Sequence, residues 1–397
     1  MRWNRFGEQF KIVTFGESHG KAVGVVIDGV KPGIKLDIEE IERELRRRRP
    51  GSSHFVSKRK EPDKIEILSG VYNGKTLGTP ICIVVWNRDI KSKDYEEIKE
   101  LFRPGHADYT YWKKYGIRDI RGGGRSSGRE TVSRVIAGAI AKSFLSKKGI
   151  EIKGFVRQIG NITAEKVDLN FVEKNPLRCP DPDIYPLMEE EVKRVIKEKD
   201  SIGGVVELWI DNVPAGLGDP VFGKLDAMLG GAILSIGAVK GVEFGLGFKL
   251  ARMRGSKAND PMDEGFKFLS NNCGGIIGGI STGERIVLRV SVKPTPSIGL
   301  LQRTVDIFGK KRFISIKGRH DPCICPRIVP VIEAMAGIVI LEAYLTQKAI
   351  KGEEVELFDI TSELVLTLDN LFYYLLRGGW ILYKLLKETK SYLFRLL

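Results

Sequence analysis

The sequence predicts a single α+β domain. Runs rich in Val and Ile, typical of strands, alternate irregularly with helical patterns along 397 residues. No Pro/Ser-rich linker, low-complexity block or fixed-period repeat divides them. With 42% hydrophobic and 29% charged residues, the chain can bury a large core. We therefore expect a globular protein and not a disordered one.

The predicted elements follow from two periodicities. Apolar β-branched runs predict strands at KIVTF (11–15), AVGVVI (22–27) and IVLRVSV (286–292). Apolar residues recurring every third or fourth position predict helices at IEEIERELRRR (38–48), ETVSRVIAGAIAKSFL (130–145), MEEEVKRVIKEK (188–199) and PVIEAMAGIVILEAYL (330–345). The predicted domain spans residues 1–397, of which 360–397 form a divergent helical tail.

The tail includes the long apolar stretch 371–397, which is interrupted by Arg377, Gly378, Gly379, Lys384 and Lys387. These interruptions make a bilayer span unfavourable. A docking helix pair is favoured over the alternative of a basic amphipathic membrane contact, so no membrane partner is expected.

The cysteines and the N-terminal composition indicate a cytoplasmic protein. No apolar targeting segment opens the sequence, and the five cysteines form no C-x-x-C pair. An odd number of unpaired thiols favours a reducing compartment. Cys323 and Cys325 are too close for an easy disulfide and lack the partners of a zinc site, so no metal is predicted.

The formal net charge of +14 predicts an anionic partner. The arginines concentrate at 46–49, at 121–134, and at Arg319 and Arg327, beside Gly, Pro or His. Such focal clusters favour a small phosphorylated ligand over nucleic acid, which usually meets a helical Lys/Arg face or basic tracts interleaved with aromatics. RNA binding through an RGG-type segment remains the alternative.

The segment RGGGRSSGRE, residues 121–130, is interpreted as an oxyanion cradle. Glycines let consecutive N–H groups converge on an anion, and arginines match phosphate or carboxylate oxygens. Ser127 and Glu130 have the spacing of a capping box ahead of a helix, whose N-terminus adds positive charge. The alternative is a plain turn and cap.

GESHG, residues 16–20, matches the G-x-S-x-G pattern of serine hydrolases but is followed by a second strand-like run instead of a helix, which argues against that class. The chain has four histidines. The polar loop settings of His19 and His106 favour proton transfer or phosphate contact. His320 is equally compatible with a structural role. Asp321 is either a turn residue before Pro322 or, beside Arg319, an ionised proton acceptor.

KPTPSI, residues 293–298, offers Lys293 and the hydroxyls of Thr295 and Ser297 in a proline-stiffened turn. Taken with the cradle, this turn is a second place to hold a phosphate or the polar edge of a ring. Taken alone, it is an ordinary turn.

Across nearly its whole length the sequence resembles the chorismate synthase family. The matching motifs are TFGESHG, RRRPG, KRKEPDKIEILSGV, FRPGHADYTYWKKYGIRDIRGGGRSSGRETVSRVIAGAIA, AVKGVEFG, GGIIGGISTGE, KPTPSI and GRHDPCICPR. The resemblance implies a β-α-β sandwich with a helical core between antiparallel sheets, a homotetramer, and a reduced FMN cofactor. The implied reaction is anti 1,4-elimination of phosphate from 5-enolpyruvylshikimate 3-phosphate, which gives chorismate. The flavin would be reduced either by a nicotinamide nucleotide (NADPH) on the enzyme or by a separate reductase.

The resemblance also implies roles for individual residues. His19 would protonate the departing phosphate, His106 would donate to the flavin's pyrimidine edge, and Asp321 would help flavin N5 to take the ring proton. The residues implied to contact the flavin are Arg125, Ser126, Ser127, Gly237, Ala238, Gly278, Lys293, Pro294, Thr295, Pro296, Ser297 and Arg319. Those implied to hold substrate anions are Arg48, Arg49, His54 and Arg134. Gly237 and His54 depart from the family's common Asn and Arg.

Overall fold

The structure is a computed structural model that describes residues 4–49, 61–89, 95–96, 98–316 and 321–352. These residues belong to one compact unit, Met1–Gly352. The predicted helical tail at 360–397 lies outside the described residues and stays a prediction.

Eighteen strands and eight α-helices are present within the described ranges. The strands are β1 (Arg5–Phe6), β2 (Lys11–Gly16), β3 (Ala22–Asp28), β4 (Ile65–Ser69), β5 (Val71–Tyr72), β6 (Lys75–Thr76), β7 (Ile81–Trp86), β8 (Glu151–Ile159), β9 (Ile162–Thr163), β10 (Gly204–Asp211), β11 (Val239–Phe244), β12 (Met262–Asp263), β13 (Lys267–Phe268), β14 (Ile276–Ile277), β15 (Ile280–Ser281), β16 (Ile286–Val292), β17 (Gln302–Val305) and β18 (Lys311–Ile314). The helices are α1 (Ile38–Arg48), α2 (Asp108–Tyr115), α3 (Thr131–Ser146), α4 (Leu169–Val172), α5 (Tyr185–Lys197), α6 (Leu225–Leu234), α7 (Gly255–Ala258) and α8 (Cys325–Lys351).

Two five-stranded antiparallel sheets form the outer layers. The first has the order β1-β2-β3-β7-β4, and the second has the order β11-β16-β10-β8-β9. In the first sheet Ala22 pairs with Trp86, and in the second Val206 pairs with Val290. Alternating side chains of strands such as β16, IVLRVSV, are buried, as expected for a sheet with one face on the core.

Helices α1, α3 and α8 form the layer between the sheets. Helix α3 contacts β3 of the first sheet and β8 of the second, and it packs along α8. The two helices approach so closely that a Cβ at Gly138 would lie 2.3 Å from the Cβ of Ala334. This contact explains a glycine inside a helix, where it would otherwise cost stability. The predicted sandwich with a helical core is confirmed.

Helix α8 begins five residues earlier than the sequence predicts, at Cys325 instead of Pro330. Pro330 lies inside the helix, where it cannot donate to the carbonyl of Pro326. The guanidinium of Arg178 donates to that carbonyl instead. An arginine from outside the helix therefore compensates for the missing backbone hydrogen bond, which a local pattern could not indicate.

By length and apolar composition α8 could cross a membrane. However, 89% of its apolar window is buried inside the protein. Core helices of soluble proteins have the same properties, and the packing of α8 against α3, β8 and β10 is that of a core helix.

Candidate active site

His19 lies in the turn between β2 and β3. The turn is fixed by Asn87, whose Nδ2 donates to the carbonyls of Glu17 at 3.0 Å and Gly20 at 2.8 Å. Ser18 and His19 are both buried, and the His19 ring meets Tyr95 edge-on at 5.2 Å between centroids. Because a strand follows the turn, GESHG is not a nucleophile elbow, as the sequence predicts.

The glycine turn, defined as Gly122 to Gly124, passes against both loop histidines. Its residues have φ angles of 70°, 101° and 55°. A Cβ at Gly122 would lie 2.9 Å from Nε2 of His19, and one at Gly123 would lie 3.0 Å from Cε1 of His106. Only glycine combines this backbone conformation with such close neighbours. The turn thus brings two histidines from distant parts of the sequence together.

His106 is held from its other edge by Asp108, the first residue of α2. Its Nδ1 lies 3.0 Å from Oδ1 of Asp108. Arg103 donates to both carboxylate oxygens at 2.7 and 2.8 Å, and Arg118 lies 3.0 Å from Oδ1. Burial and the charges of Arg103 and Lys293 lower the pKa of His106, against the opposing effect of Asp108. The folded environment therefore disfavours the protonated form of the His106 ring.

The three arginines of the 121–130 segment have different environments. Arg125 donates to Oγ1 of Thr14 on β2 at 2.7 Å. Arg121 pairs with Asp119 at the surface. Arg129 is buried and bonded to Asp63 and Asn87, so it braces the loop from inside. The interpretation of all three as an anion cradle is therefore wrong for Arg129.

The predicted capping box is also wrong. Ser127 Oγ accepts from the backbone N–H of Arg129 at 3.3 Å, which caps a short 3₁₀ turn before α3. Glu130 turns to Arg134, with 3.0 Å between Oε1 and Nε, instead of returning to the Ser127 backbone. A charged donor competes better for this carboxylate than a neutral N–H does.

The arginine run at the end of α1 divides in two directions. Arg46 is exposed near Glu42, whereas Arg47 enters the helix layer and pairs with Glu44, Glu173 and Glu333. Arg48, 1% exposed, donates to the carbonyl of Gly128 and to Oγ1 of Thr131, both at 3.3 Å. Arg48 therefore adjoins the loop that follows the glycine turn.

Arg49 is the half-buried residue after α1, and His54 lies outside the described residues. Arg134 bonds to Ser235 through both terminal nitrogens, which places it at the end of α6. Of the predicted substrate contacts, Arg48 thus contacts residues at and just before the start of α3, and Arg134 connects α3 to the end of α6.

The predicted cofactor segment 293–297 joins the His106 loop to the end of α6. Lys293 Nζ donates to the carbonyl of Gly105 at 3.1 Å, and its backbone N–H donates to Ala238 at 2.9 Å. Pro296 lies against Gly105. Within the described residues, Thr295 Oγ1 is a buried hydroxyl oxygen without a hydrogen-bond partner. Because buried polar atoms are nearly always bonded, this hydroxyl is an available ligand contact.

Asp321 pairs with Arg327 at 2.5 Å, and Arg327 Nε donates to the carbonyl of Arg48 at 3.3 Å. The structure therefore connects Asp321 with the end of α1. Arg319 and His320 lie outside the described residues.

Gly278 is separate from this group. It lies in the β14–β15 hairpin, which contacts the start of α6 through Gly279 and Leu225. Gly237 and Ala238 follow the other end of that ten-residue helix, about 15 Å away.

Arg103, Asp108 and Arg118 are site residues that the sequence interpretation missed. Asp108 stands two positions after His106, and a carboxylate so close to a loop histidine is a usable signal. No sequence signal indicates Arg118, because its contact with Asp108 depends on how α2 is placed.

The fold and site define an enzyme for an anionic small molecule, with two histidines on a glycine turn and lysine and arginine around them. The family model described as chorismate synthase matches residues 10–345. The chain belongs to the chorismate synthase family. Members are lyases that eliminate phosphate from 5-enolpyruvylshikimate 3-phosphate in the last step of the shikimate pathway, and this chain is such an enzyme. The family uses a reduced flavin.

Curated chorismate synthases agree closely. The chain is 52% identical to that of Porphyromonas gingivalis, with 87% of this chain and 96% of the relative covered. It is 53% identical to that of Archaeoglobus fulgidus, with 87% and 98% covered. A solved structure titled as a crystal structure of chorismate synthase matches with a TM-score of 0.68 and 34% identity, covering 86% of this chain and 93% of the other. The RNA-binding alternative is not supported.

Proposed function

We propose that this chain performs the elimination with reduced FMN bound beside the glycine turn, His106 and the 293–297 segment. The observation that supports the proposal most strongly is the convergence of His19 and His106 on Gly122 and Gly123. Reduced FMN, when bound, supplies electron density that helps to expel phosphate from a substrate whose lost ring hydrogen is not acidic.

The described residues fit a flavin nucleotide. The unpartnered Oγ1 of Thr295 offers a hydrogen bond, and Lys293 and Arg125 offer positive charge. The residues proposed to hold the cofactor are Arg125, Ser126, Ser127, Gly237, Ala238, Gly278, Arg319 and those from Lys293 to Ser297. Of these, Gly278 is the one that the chain does not bring near the others, and Arg319 lies outside the described residues.

The substrate carries one phosphate and two carboxylates, which call for several cations. We assign this role to Arg48, Arg49, His54 and Arg134. Arg48 donates to the carbonyl of Gly128 in the loop after the glycine turn, and Arg134 pairs with Glu130 at the end of the same loop. Together these cations would hold the substrate ring so that its leaving phosphate faces His19.

The proton balance assigns one task to each catalytic residue. His19 gives a proton to the departing phosphate at C3. Asp321 assists removal of the proton from C6. His106 donates from Nε2 toward the cofactor. Burial of the site excludes water and strengthens each of these interactions.

We also propose a cytoplasmic homotetramer without nucleic-acid or membrane partners. Light scattering on the purified chain should give a mass four times its 44.3 kDa. A monomer with full activity would remove the tetramer from the proposal while leaving the chemistry intact.

Flavin binding is tested with Thr295→Val, which removes the unpartnered hydroxyl at nearly constant volume. One lost hydrogen bond of about 1 kcal/mol weakens FMN binding roughly fivefold, while the unfolding free energy stays equal or rises. Thr76→Val is the control, since Thr76 Oγ1 donates to the carbonyl of Lys31 at 2.6 Å and neither residue is among those proposed to hold cofactor or substrate. Unchanged FMN affinity in Thr295→Val would exclude this contact.

A further inference from the structure

The two edges of the His106 ring have different neighbours. Nδ1 contacts the carboxylate of Asp108 at 3.0 Å. The opposite edge, with Cε1 and Nε2, lies 3.0 and 3.2 Å from the position that a Cβ of Gly123 would take. The ring therefore bridges the start of α2 and the glycine turn.

Asp108 is held independently of the histidine. It is 4% exposed and accepts from Arg103 through the backbone N–H at 3.1 Å and through two guanidinium nitrogens. Arg118 adds a further contact and also donates to the carbonyls of Lys99 and Leu101. Burial by itself would raise the pKa of Asp108, but the hydrogen bonds from Arg103 and His106 and their charges hold it well below its usual range.

An ionised carboxylate can only accept hydrogen bonds, so Nδ1 of His106 must bear the hydrogen. In the neutral ring Nε2 then has a lone pair and can only accept. Nε2 becomes a donor when the ring gains a second proton. Among the described residues, the charged groups that act most strongly on His106 are Asp108, which favours that proton, and Arg103 and Lys293, which oppose it.

We propose that Asp108 is a positioning residue: it fixes His106 in the Nδ1–H tautomer and directs Nε2 to the glycine turn, so that His106 donates there only as an imidazolium. This inference rests on the proposed role of His106 in the elimination. Asp108 acts through the histidine and does not itself reach the turn.

Asp306 shows what a purely structural carboxylate looks like here. It is equally buried, it accepts from the backbone of Phe308 and Lys310, and it pairs with Arg312 at 2.9 Å. Its described hydrogen bonds complete the turn between β17 and β18 and involve no histidine. Asp306→Asn is therefore a matched control for Asp108→Asn.

The test measures ring nitrogen shifts by ¹⁵N NMR in the full chain without ligands, with His106 assigned by the signal lost in His106→Gln. In the wild-type protein the neutral ring should be the Nδ1–H tautomer, and an Nε2–H tautomer would overturn the proposal without any variant. In Asp108→Asn the pKa of His106 should fall below its wild-type value, because the favourable charge is lost. Asp306→Asn should leave it unchanged.

Turnover provides the second readout. Asp108→Asn should lower kcat at least about tenfold, yet by less than the 10² to 10⁴ expected for losing a positioned acid, and move the basic limb of the pH profile to lower pH. KM for the substrate should stay near wild type, and the loss should not add to that of His106→Ala. An unchanged pKa and tautomer of His106 in Asp108→Asn would overturn the inference. A shifted His106 with unchanged kcat would instead overturn the proposed role of His106.

Discussion

Two buried carboxylates, Glu333 and Asp108, are each paired with two cationic side chains, but they differ in the other group that they contact. Glu333 on α8 pairs with Arg47 at 2.5 Å and Lys142 at 3.1 Å and accepts from the backbone of Gly154. Asp108 pairs with Arg103 and Arg118 and then contacts His106.

The Glu333 cluster, defined as Glu333, Arg47 and Lys142, links α1, α3 and α8 to β8. Its contacts therefore hold the helix layer and the second sheet together. Burial would raise the pKa of Glu333, but Arg47 and Lys142 hold it well below its usual range. The Asp108 cluster instead ends on a ring whose free edge faces a glycine turn. A buried ion pair thus contributes to the candidate site where its last member is a loop histidine, and to stability where its last member is backbone of the helix layer or sheet.

Removal of the histidines at the turn should have the largest effect. His19→Ala and His106→Ala are expected to lower turnover by about 10² to 10⁴, because each removes a positioned proton donor. The thermal unfolding temperature of each variant should change little. Normal turnover in either variant would return that histidine to a structural role.

The next largest effect concerns the Glu333 cluster. Glu333→Ala leaves the charges of Arg47 and Lys142 buried without their shared partner, which costs about 3–5 kcal/mol of unfolding free energy. Urea unfolding measures this loss, with the exposed pair member Glu151 as control through Glu151→Ala. If Glu333→Ala unfolded like the control, the cluster would not support the helix layer.

Arg47 and Arg48 separate the two kinds of role at adjacent positions. Arg48→Ala should weaken substrate binding by about 1.5–3 kcal/mol, the cost of a lost charge-assisted contact, and weaken flavin binding less. Arg47→Ala should lower stability and leave the substrate affinity of the folded fraction unchanged. Calorimetric titrations with 5-enolpyruvylshikimate 3-phosphate decide this, and damaged FMN binding with normal substrate affinity in Arg48→Ala would reverse the assignment.

The smallest effect is a pH dependence of stability. Because the folded chain lowers the pKa of His106 from 6.5, the histidine favours folding above about pH 6.5, and this contribution is lost as the pH falls through the lowered value. Unfolding in urea from pH 8 to 5 should show a steeper acid loss for the wild type than for His106→Gln. Parallel curves would mean that His106 is not desolvated in the folded chain.

Sequence periodicity predicts those helices and strands whose bounds depend on neighbouring residues alone. Helix α1 and strand β16 have the predicted bounds, and a strand follows GESHG, as predicted. The motifs also identified the loops that contact the glycine turn. The different partners of Arg47 and Arg48 could not be predicted from the sequence. The two residues are adjacent and chemically identical, and only the packing of α1 directs Arg47 to Glu333 and Arg48 to Thr131.

Long-range contacts account for the other differences. The start of α8 depends on a hydrogen bond from Arg178, which is 148 residues from Pro326. The Glu130 carboxylate pairs with Arg134 instead of completing the predicted capping box. Asp108 was visible in the sequence, but its function depends on Arg103, Arg118 and the position of Gly123. Residues with roles assigned by resemblance, such as Arg125 and Ser297, stay predictions until a ligand is bound.

The most direct test of the account is an anaerobic assay of the purified chain with 5-enolpyruvylshikimate 3-phosphate and chemically reduced FMN. The elimination is redox-neutral, so chorismate and phosphate should appear in equal amounts while FMN is recovered reduced and no electron donor is consumed. Full turnover with oxidised FMN, or one flavin oxidised for each chorismate formed, would contradict the account.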